Sequence, residues 1–231
     1  MKKYLYVSFL LLAIQANGAY AYTNTDTSRI VSDINAENSI KLTKLVEGND
    51  RFASEKSIHP HISKERIALL SKKQNPFVII VACSDSRVPP EIIFDQGLGD
   101  IFVVRTAGNV IGNYELGSIE YAVEHLNCTL VILLGHENCG AVSAYFNSDG
   151  HMHNNHIDSI IQCIGSKPLV KALEGSKKTD LSSVIKANVN DDVLSLKKSK
   201  PVLSKLFDDN MIEIIGAIYN PSTGKVEFIK D

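Results

Sequence analysis

The stretch Phe77-Val78-Ile79-Ile80-Val81-Ala82-Cys83-Ser84-Asp85-Ser86-Arg87 decides how this chain is read. Its first half is a continuous apolar run rich in β-branched residues, without the polar alternation of a strand that faces water. That pattern fits a parallel strand buried on both faces. Its second half turns abruptly small, polar and charged, so Cys83 stands where the strand ends. The arrangement recurs downstream, where the apolar run Leu130 to Leu134 leads into Gly135-His136-Glu137-Asn138-Cys139-Gly140. Cys83, His136 and Cys139 therefore offer two thiolates and an imidazole at strand ends. Those are three of the four ligands that tetrahedral zinc prefers, with one position left for chemistry. Open α/β sheets bind ligands outside the carboxyl ends of their strands, where such sequence-distant residues meet. Singly, each residue has a plainer reading, the cysteines as small core hydrophobes and the histidine as a hydrogen-bonded core residue. The combination points to a metal.

Working outward, further apolar runs predict strands over 101–105, 129–134 and 211–217, each bounded by turn residues. Helical periodicity starts near Ile40, with Leu42, Leu45 and Val46. Helices are also expected over 63–71, 114–126, 157–173 and 181–206, the last broken at Pro201. In the 114–126 segment Leu116, Ile119, Val123 and Leu126 form one apolar stripe. A last strand, 225–229, follows the turn Asn220-Pro221-Ser222-Thr223-Gly224 and is expected as an antiparallel edge. The expectation is one α/β domain over 39–231, a mostly parallel central sheet with flanking helices and an antiparallel edge strand. Residues 22–38, polar and irregular, read as a flexible arm.

The 231 residues are 44% hydrophobic and 22% charged, ordinary for a soluble globule with a substantial core. The net charge is -2, and the only basic run, Lys197-Lys198-Ser199-Lys200, reads as a solvated helix face, so nucleic acid is not an expected partner. Lys2 and Lys3, the apolar stretch Tyr4 to Ile14, and Ala19-Tyr20-Ala21 form a secretory signal peptide pattern over 1–21. The apolar stretch is shorter than the roughly 20 residues that span a bilayer. Cleavage removes two lysines and no acid, shifting the net charge to -4 and leaving no membrane segment. The expected location is a bacterial periplasm or a secreted space. Cys128 and Cys163, outside the metal trio, are read as free buried thiols.

The segments Cys83 to Arg87 and Gly135 to Cys139-Gly140, with Glu47-Gly48-Asn49-Asp50-Arg51-Phe52, resemble the β-class carbonic anhydrases. Val104-Arg105-Thr106-Ala107-Gly108-Asn109 and Ile215-Gly216-Ala217-Ile218-Tyr219 are in register too, so the likeness runs from about Leu42 to Phe228. The resemblance implies zinc-dependent, reversible hydration of carbon dioxide to bicarbonate and a proton by zinc-hydroxide attack. It implies an Asp85/Arg87 dyad that orients the zinc-bound water, Asp85 closing onto zinc as a fourth ligand in some members. The plainer reading of that dyad is a loop ion pair. Gln74 matches a glutamine that reaches the substrate from a neighbouring subunit. Phe102 and Tyr121 match apolar pocket positions, and Ala107 falls where plant-type members carry a larger aliphatic residue. Gly140 is expected to allow close backbone approach. Gln74 as a surface turn residue, Phe102 as strand core and Tyr121 as a helix-interface residue are equally good readings.

Two thiolates cancel the ion's charge, so this zinc acidifies water less than one held by three imidazoles, where the water pKa is about 7. Hydration is accordingly expected to rise with pH through the alkaline side of neutrality. The family assembles as dimers with sites at the subunit boundary, so a homodimer or homotetramer is implied. Arg51 and Phe52 suit packing there and internal packing equally. His151, His153 and His156 suit a proton relay or a second metal, although a polar surface loop explains them better. His59, His61 and His125 carry no partner signal and read as surface or helix-end residues. Two alternatives share the scaffold: a zinc-containing protein that binds bicarbonate without turnover, and a hydrolase of carbonyl sulfide or carbon disulfide.

Overall fold

The computed structural model describes residues 24–148, 155–174 and 180–229. The expected signal peptide, 1–21, and His151 and His153 lie outside the described residues. The chain divides into two compact units between Asp33 and Ile34, and the second holds the whole sheet as a single α/β domain. Its strands are β1 (Val78–Cys83), β2 (Ile101–Thr106), β3 (Leu130–His136), β4 (Glu213–Asn220) and β5 (Lys225–Phe228). They lie in the order β2-β1-β3-β4-β5, the first four parallel and β5 antiparallel to β4. The chain thus places β2 on one side of β1 and β3 on the other. That reversal opens a crevice at the carboxyl ends of β1 and β3. Ala82 pairs with Leu134, so Cys83 and His136 leave the sheet within two residues of one level.

Alternate residues of β1 enter different cores, as the period of a strand requires. Ile79, Val81 and Cys83 join the core beneath α4 (Asn113–Leu126) and α8 (Leu181–Lys197). Val78, Ile80 and Ala82 join Leu45, Ile93 and Phe94 on the opposite face, contributed by α1 (Asn24–Ala53) and the short α3 (Pro90–Ile93) with the residue after it. Both faces of the sheet are covered, which is why its strands read as unbroken apolar runs.

Helix α1 corrects the expected arm, since it begins at Asn24 rather than near Ile40. Part of its inward face is polar and escapes a search for apolar periodicity. Asn38 is fully buried, donating to Thr129 O at 3.1 Å and accepting from Thr129 Oγ1 at 2.6 Å, while Lys41 Nζ donates to the same hydroxyl at 2.7 Å. Farther along, a Cβ at Gly48 would lie 1.9 Å from Phe94 O, so only glycine lets the helix approach that closely. Asn49 donates to Ile93 O and Gly224 O and accepts from Val226 N–H, clasping the edge strand. Arg51 bonds Asp95 at 2.6 Å, and Phe52 packs on the second core. Both residues therefore have partners inside their own chain.

Two expected helices are split. The 157–173 segment forms α6 (Ile157–Gly165) and α7 (Pro168–Lys171), because Pro168 cannot continue a helix but starts one well. The 181–206 segment ends at Lys197, and α9 (Leu203–Asp208) follows Pro201. Helix α2 (Lys64–Leu70) falls inside its expected range, and α5 (Gly140–Phe146) was not expected. His61 is not a lone surface residue: its Nδ1 lies 2.6 Å from Asp100 Oδ2, which also receives Gly97 N–H. No described helix is long and apolar enough to cross a membrane.

Candidate metal centre

Cys83 is the last residue of β1, His136 the last of β3, and Cys139 the residue before α5. Asn138 between them takes a left-handed backbone, φ 56°, which an asparagine tolerates, and this folds Cys139 back toward His136. The three ligand atoms lie within 4.8 Å of one another, and the two sulfurs are 3.9 Å apart. A tetrahedral ion with metal–sulfur bonds of about 2.3 Å needs an S–S edge of about 3.8 Å. The spacing fits.

His136 is fully buried and its Nδ1 lies 3.0 Å from Glu137 O. A proton on Nδ1 donates to that carbonyl and turns the Nε2 lone pair toward the sulfurs, the arrangement of metal-binding histidines. Nε2 is buried with no hydrogen-bond partner. Leaving such an atom unsatisfied costs about 1–3 kcal/mol, a cost that a metal bond removes. The donor set and the orphaned nitrogen together fit a zinc-type ion.

The two thiols act as a pair. A hydrogen bond from Cys139 lowers the Cys83 pKa against the opposing effect of burial, aided by His136 and the backbone, and the same bond and burial push Cys139 up. One sulfur is thus ready as a thiolate, and displacing the second proton is left to a cation.

Asp85 lies at the edge of this trio, its Oδ2 3.9 Å from His136 Nε2. Arg87 occupies both carboxylate oxygens, with Nε and the backbone N–H on Oδ1 at 2.9 Å and Nη2 on Oδ2 at 2.6 Å. The guanidinium holds the Asp85 carboxyl well below the usual carboxylate range. Arg105, to which the residue reading gave no role, fixes the loop: its Nε donates to Cys83 O at 3.0 Å and its Nη2 to Asp85 O at 2.7 Å. Gly108, likewise unassigned, donates its N–H to Cys83 Sγ at 3.3 Å. Both sit in the segment Val104 to Asn109, whose Arg and Gly-Asn pair were the available signals.

The other predicted residues divide. Ala107 directly precedes Gly108 and Gly140 directly follows Cys139, so both border the trio. Crowding within the chain does not account for Gly140, because a Cβ there would meet nothing within 4 Å. Phe102 pairs with Ile79 in the amino half of the sheet, and its ring lies 6.4 Å from that of Tyr121, which itself makes a tilted contact with the His125 ring at 5.1 Å. Gln74 is exposed just before β1. Phe102 is thus four strand residues, about 13 Å, below the level of Cys83, with Tyr121 against it, and Gln74 lies nine residues before Cys83, so all three sit toward the amino edge, away from the trio of their own chain.

The sequence profile of the family described as carbonic anhydrase matches residues 78–226. The chain is 38% identical over 185 residues to the carbonic anhydrase of Mycolicibacterium smegmatis, covering 79% of this chain and 89% of that one. Among solved structures it resembles Coccomyxa β-carbonic anhydrase in complex with acetazolamide, with a TM-score of 0.62, 26% identity, and 81% and 86% of the two chains covered. The fold is shared also with the tetrameric β-carbonic anhydrases of Sordaria macrospora, with a TM-score of 0.62, 21% identity, and 84% and 98% coverage. By profile, sequence and fold, the chain belongs to the carbonic anhydrase family and, within it, to the β class.

Proposed function

We propose that this enzyme hydrates carbon dioxide reversibly to bicarbonate and a proton, with zinc held by Cys83, His136 and Cys139. The observation that carries the reading is the partnerless, buried Nε2 of His136 beside two sulfurs at tetrahedral spacing. Zinc held there supplies Lewis acidity, which makes a nucleophile available from water near neutral pH. Asp85 accepts a hydrogen bond from the reacting water and aims its lone pair at the substrate carbon. Because Arg87 keeps Asp85 ionised, the carboxylate orients the water without retaining its proton, which passes to buffer. The same bidentate grip turns both oxygens toward the guanidinium and favours the site with Asp85 off the metal.

Ala107 and Gly140 border the opening. Gln74, Phe102 and Tyr121 suit the pocket when presented by a second copy of the chain, so a homodimer is the smallest complete unit, pairing into a homotetramer. Residues 1–21 direct export and are removed, leaving the enzyme in a periplasm or secreted; a mature amino terminus at Tyr22 in the exported fraction checks this.

Stopped-flow hydration by zinc-loaded protein tests the activity. Turnover is expected to rise through the alkaline side of neutrality, and Asp85→Asn to lose about 100-fold, the scale of a misoriented reactant. One equivalent of zinc without hydration would leave a bicarbonate-binding protein. Faster turnover of carbonyl sulfide or carbon disulfide would make it a hydrolase.

A further inference from the structure

Behind Cys83 lies a buried polar cluster that the proposed chemistry leaves unused. The turn Ala107–Asn109 follows β2 with two left-handed residues in succession, Gly108 at φ 67° and Asn109 at φ 47°. This backbone aims Gly108 N–H at Cys83 Sγ. Helix α8 grips the turn at two points: Asn188 Nδ2 donates to Gly108 O at 3.1 Å, and Asp192 Oδ2 accepts from Asn109 Nδ2 at 3.1 Å. Asn188 and Asp192 are one helical turn apart and share a face. Lys167 bridges them, its Nζ 2.6 Å from Asn188 Oδ1 and 2.6 Å from Asp192 Oδ1.

All four side-chain owners are withdrawn from water, Asn109 at 2%, Lys167 at 8%, Asn188 at 1% and Asp192 at 4% exposure. Burial pushes Asp192 up to about 6 even with Lys167 beside it. A buried ion pair is weak support for stability, since apolar residues of the same volume often do as well or better. What apolar residues could not do is hold a carbonyl and an amide side chain of one turn in fixed directions.

We propose that Asn188, Asp192 and Lys167 are positioning residues of the metal centre, locking the Gly108–Asn109 turn so that Gly108 N–H stays on Cys83 Sγ. The inference rests on the zinc reading above. An N–H donor both fixes the direction of a sulfur ligand and draws charge from it, so this bond holds Cys83 Sγ in place for the ion, which raises affinity, and tempers its donation, which leaves the metal a stronger Lewis acid. Partners of this kind, one step removed from the metal, commonly change its affinity about 10- to 100-fold when lost.

The test compares the full-length protein with Asn188→Leu, which removes the bond to Gly108 O, and Asn109→Gly, which removes the bond to Asp192 while keeping a residue at ease with positive φ. Zinc affinity is measured by chelator competition, the sulfur-to-cobalt charge-transfer band in Co(II)-loaded protein by absorption, and folding by thermal melting of the metal-free chain. Both variants should bind zinc about 10- to 100-fold more weakly and move the cobalt band to longer wavelength. Lower melting temperatures with wild-type zinc affinity and cobalt spectrum would overturn the proposal, reducing the cluster to a packing role. Should Asn188→Leu fail to fold, Asn109→Gly decides alone. Wild-type protein that takes up no zinc would sink the metal reading together with this one, whereas wild-type uptake with unchanged variants sinks only this one.

Discussion

Cys83 and Cys128 are both buried cysteines at strand ends, and the sheet treats them in opposite ways. Cys83 closes β1 at the carboxyl edge, where it faces Cys139 and receives the Gly108 N–H, and its pKa is lowered. Cys128 stands two residues before β3 at the amino edge, donates to Pro76 O at 3.3 Å, and is pushed by burial up to about 11. Burial is nearly equal, 4% against 1% exposure, so burial does not decide the chemistry. The neighbouring dipoles do. A sulfur met by donors and a second thiol is prepared to be an anion and to bind a cation, whereas one that donates to a carbonyl and receives no hydrogen bond among the described residues remains a thiol even with the Lys41 ammonium acting on it.

The sharpest way to break this contrast is to replace each sulfur. Cys83→Ser should abolish stoichiometric zinc, read by elemental analysis of the purified protein. Cys128→Ser should keep one equivalent and melt only modestly lower. Equal zinc loss from both would show that the carboxyl edge has no special role.

Titration gives the next effect. The Cys128 pKa is raised in the folded chain above its unfolded value of about 8.5, so its contribution to stability is complete below that value and is lost as pH rises through about 11. Over that window the stability advantage of wild type over Cys128→Ala should shrink by about 3 kcal/mol at most, measured by denaturant unfolding at pH 8 and 11. An advantage independent of pH would mean that the thiol is not desolvated.

The smallest effect comes from the two glycines beside the trio. Gly108→Ala should cost about 2 kcal/mol, because its backbone is left-handed and a Cβ would lie 3.0 Å from both Ala141 and Ile164 side chains. Gly140→Ala should stay within about 0.5 kcal/mol in the isolated chain, having nothing to strike. A large loss at Gly140 on dilution-resistant oligomer alone would place that position against a second copy.

Local sequence carried a good deal of this molecule. The strands were legible because a parallel sheet covered on both faces demands unbroken apolar runs, and Pro201 marked a helix break for the reason that proline always does. The trio Cys83, His136 and Cys139 was legible because ligand chemistry depends on residue type and on ending a strand. Helix α1 was less so, since Asn38 and Lys41 face inward through Thr129 rather than through hydrocarbon. The pairing of His61 with Asp100, 39 residues away, left no local mark. The same is true of Asn188 and Asp192, which read as ordinary polar residues of a helix until that helix is laid against the turn after β2.

What the residues alone determined was therefore an inventory: buried strands, a set of soft and nitrogen donors at two strand ends, and an Asp85/Arg87 pair close enough in the chain to find each other. What only the tertiary structure decided was their convergence. The reversal of strand order at β1 and β3 brings the two ends side by side, and α8 fixes the turn that faces Cys83. The reason is range, for hydrophobic patterning and short-loop pairing act over a few residues, whereas a metal site is assembled from strands that meet only when the sheet has formed.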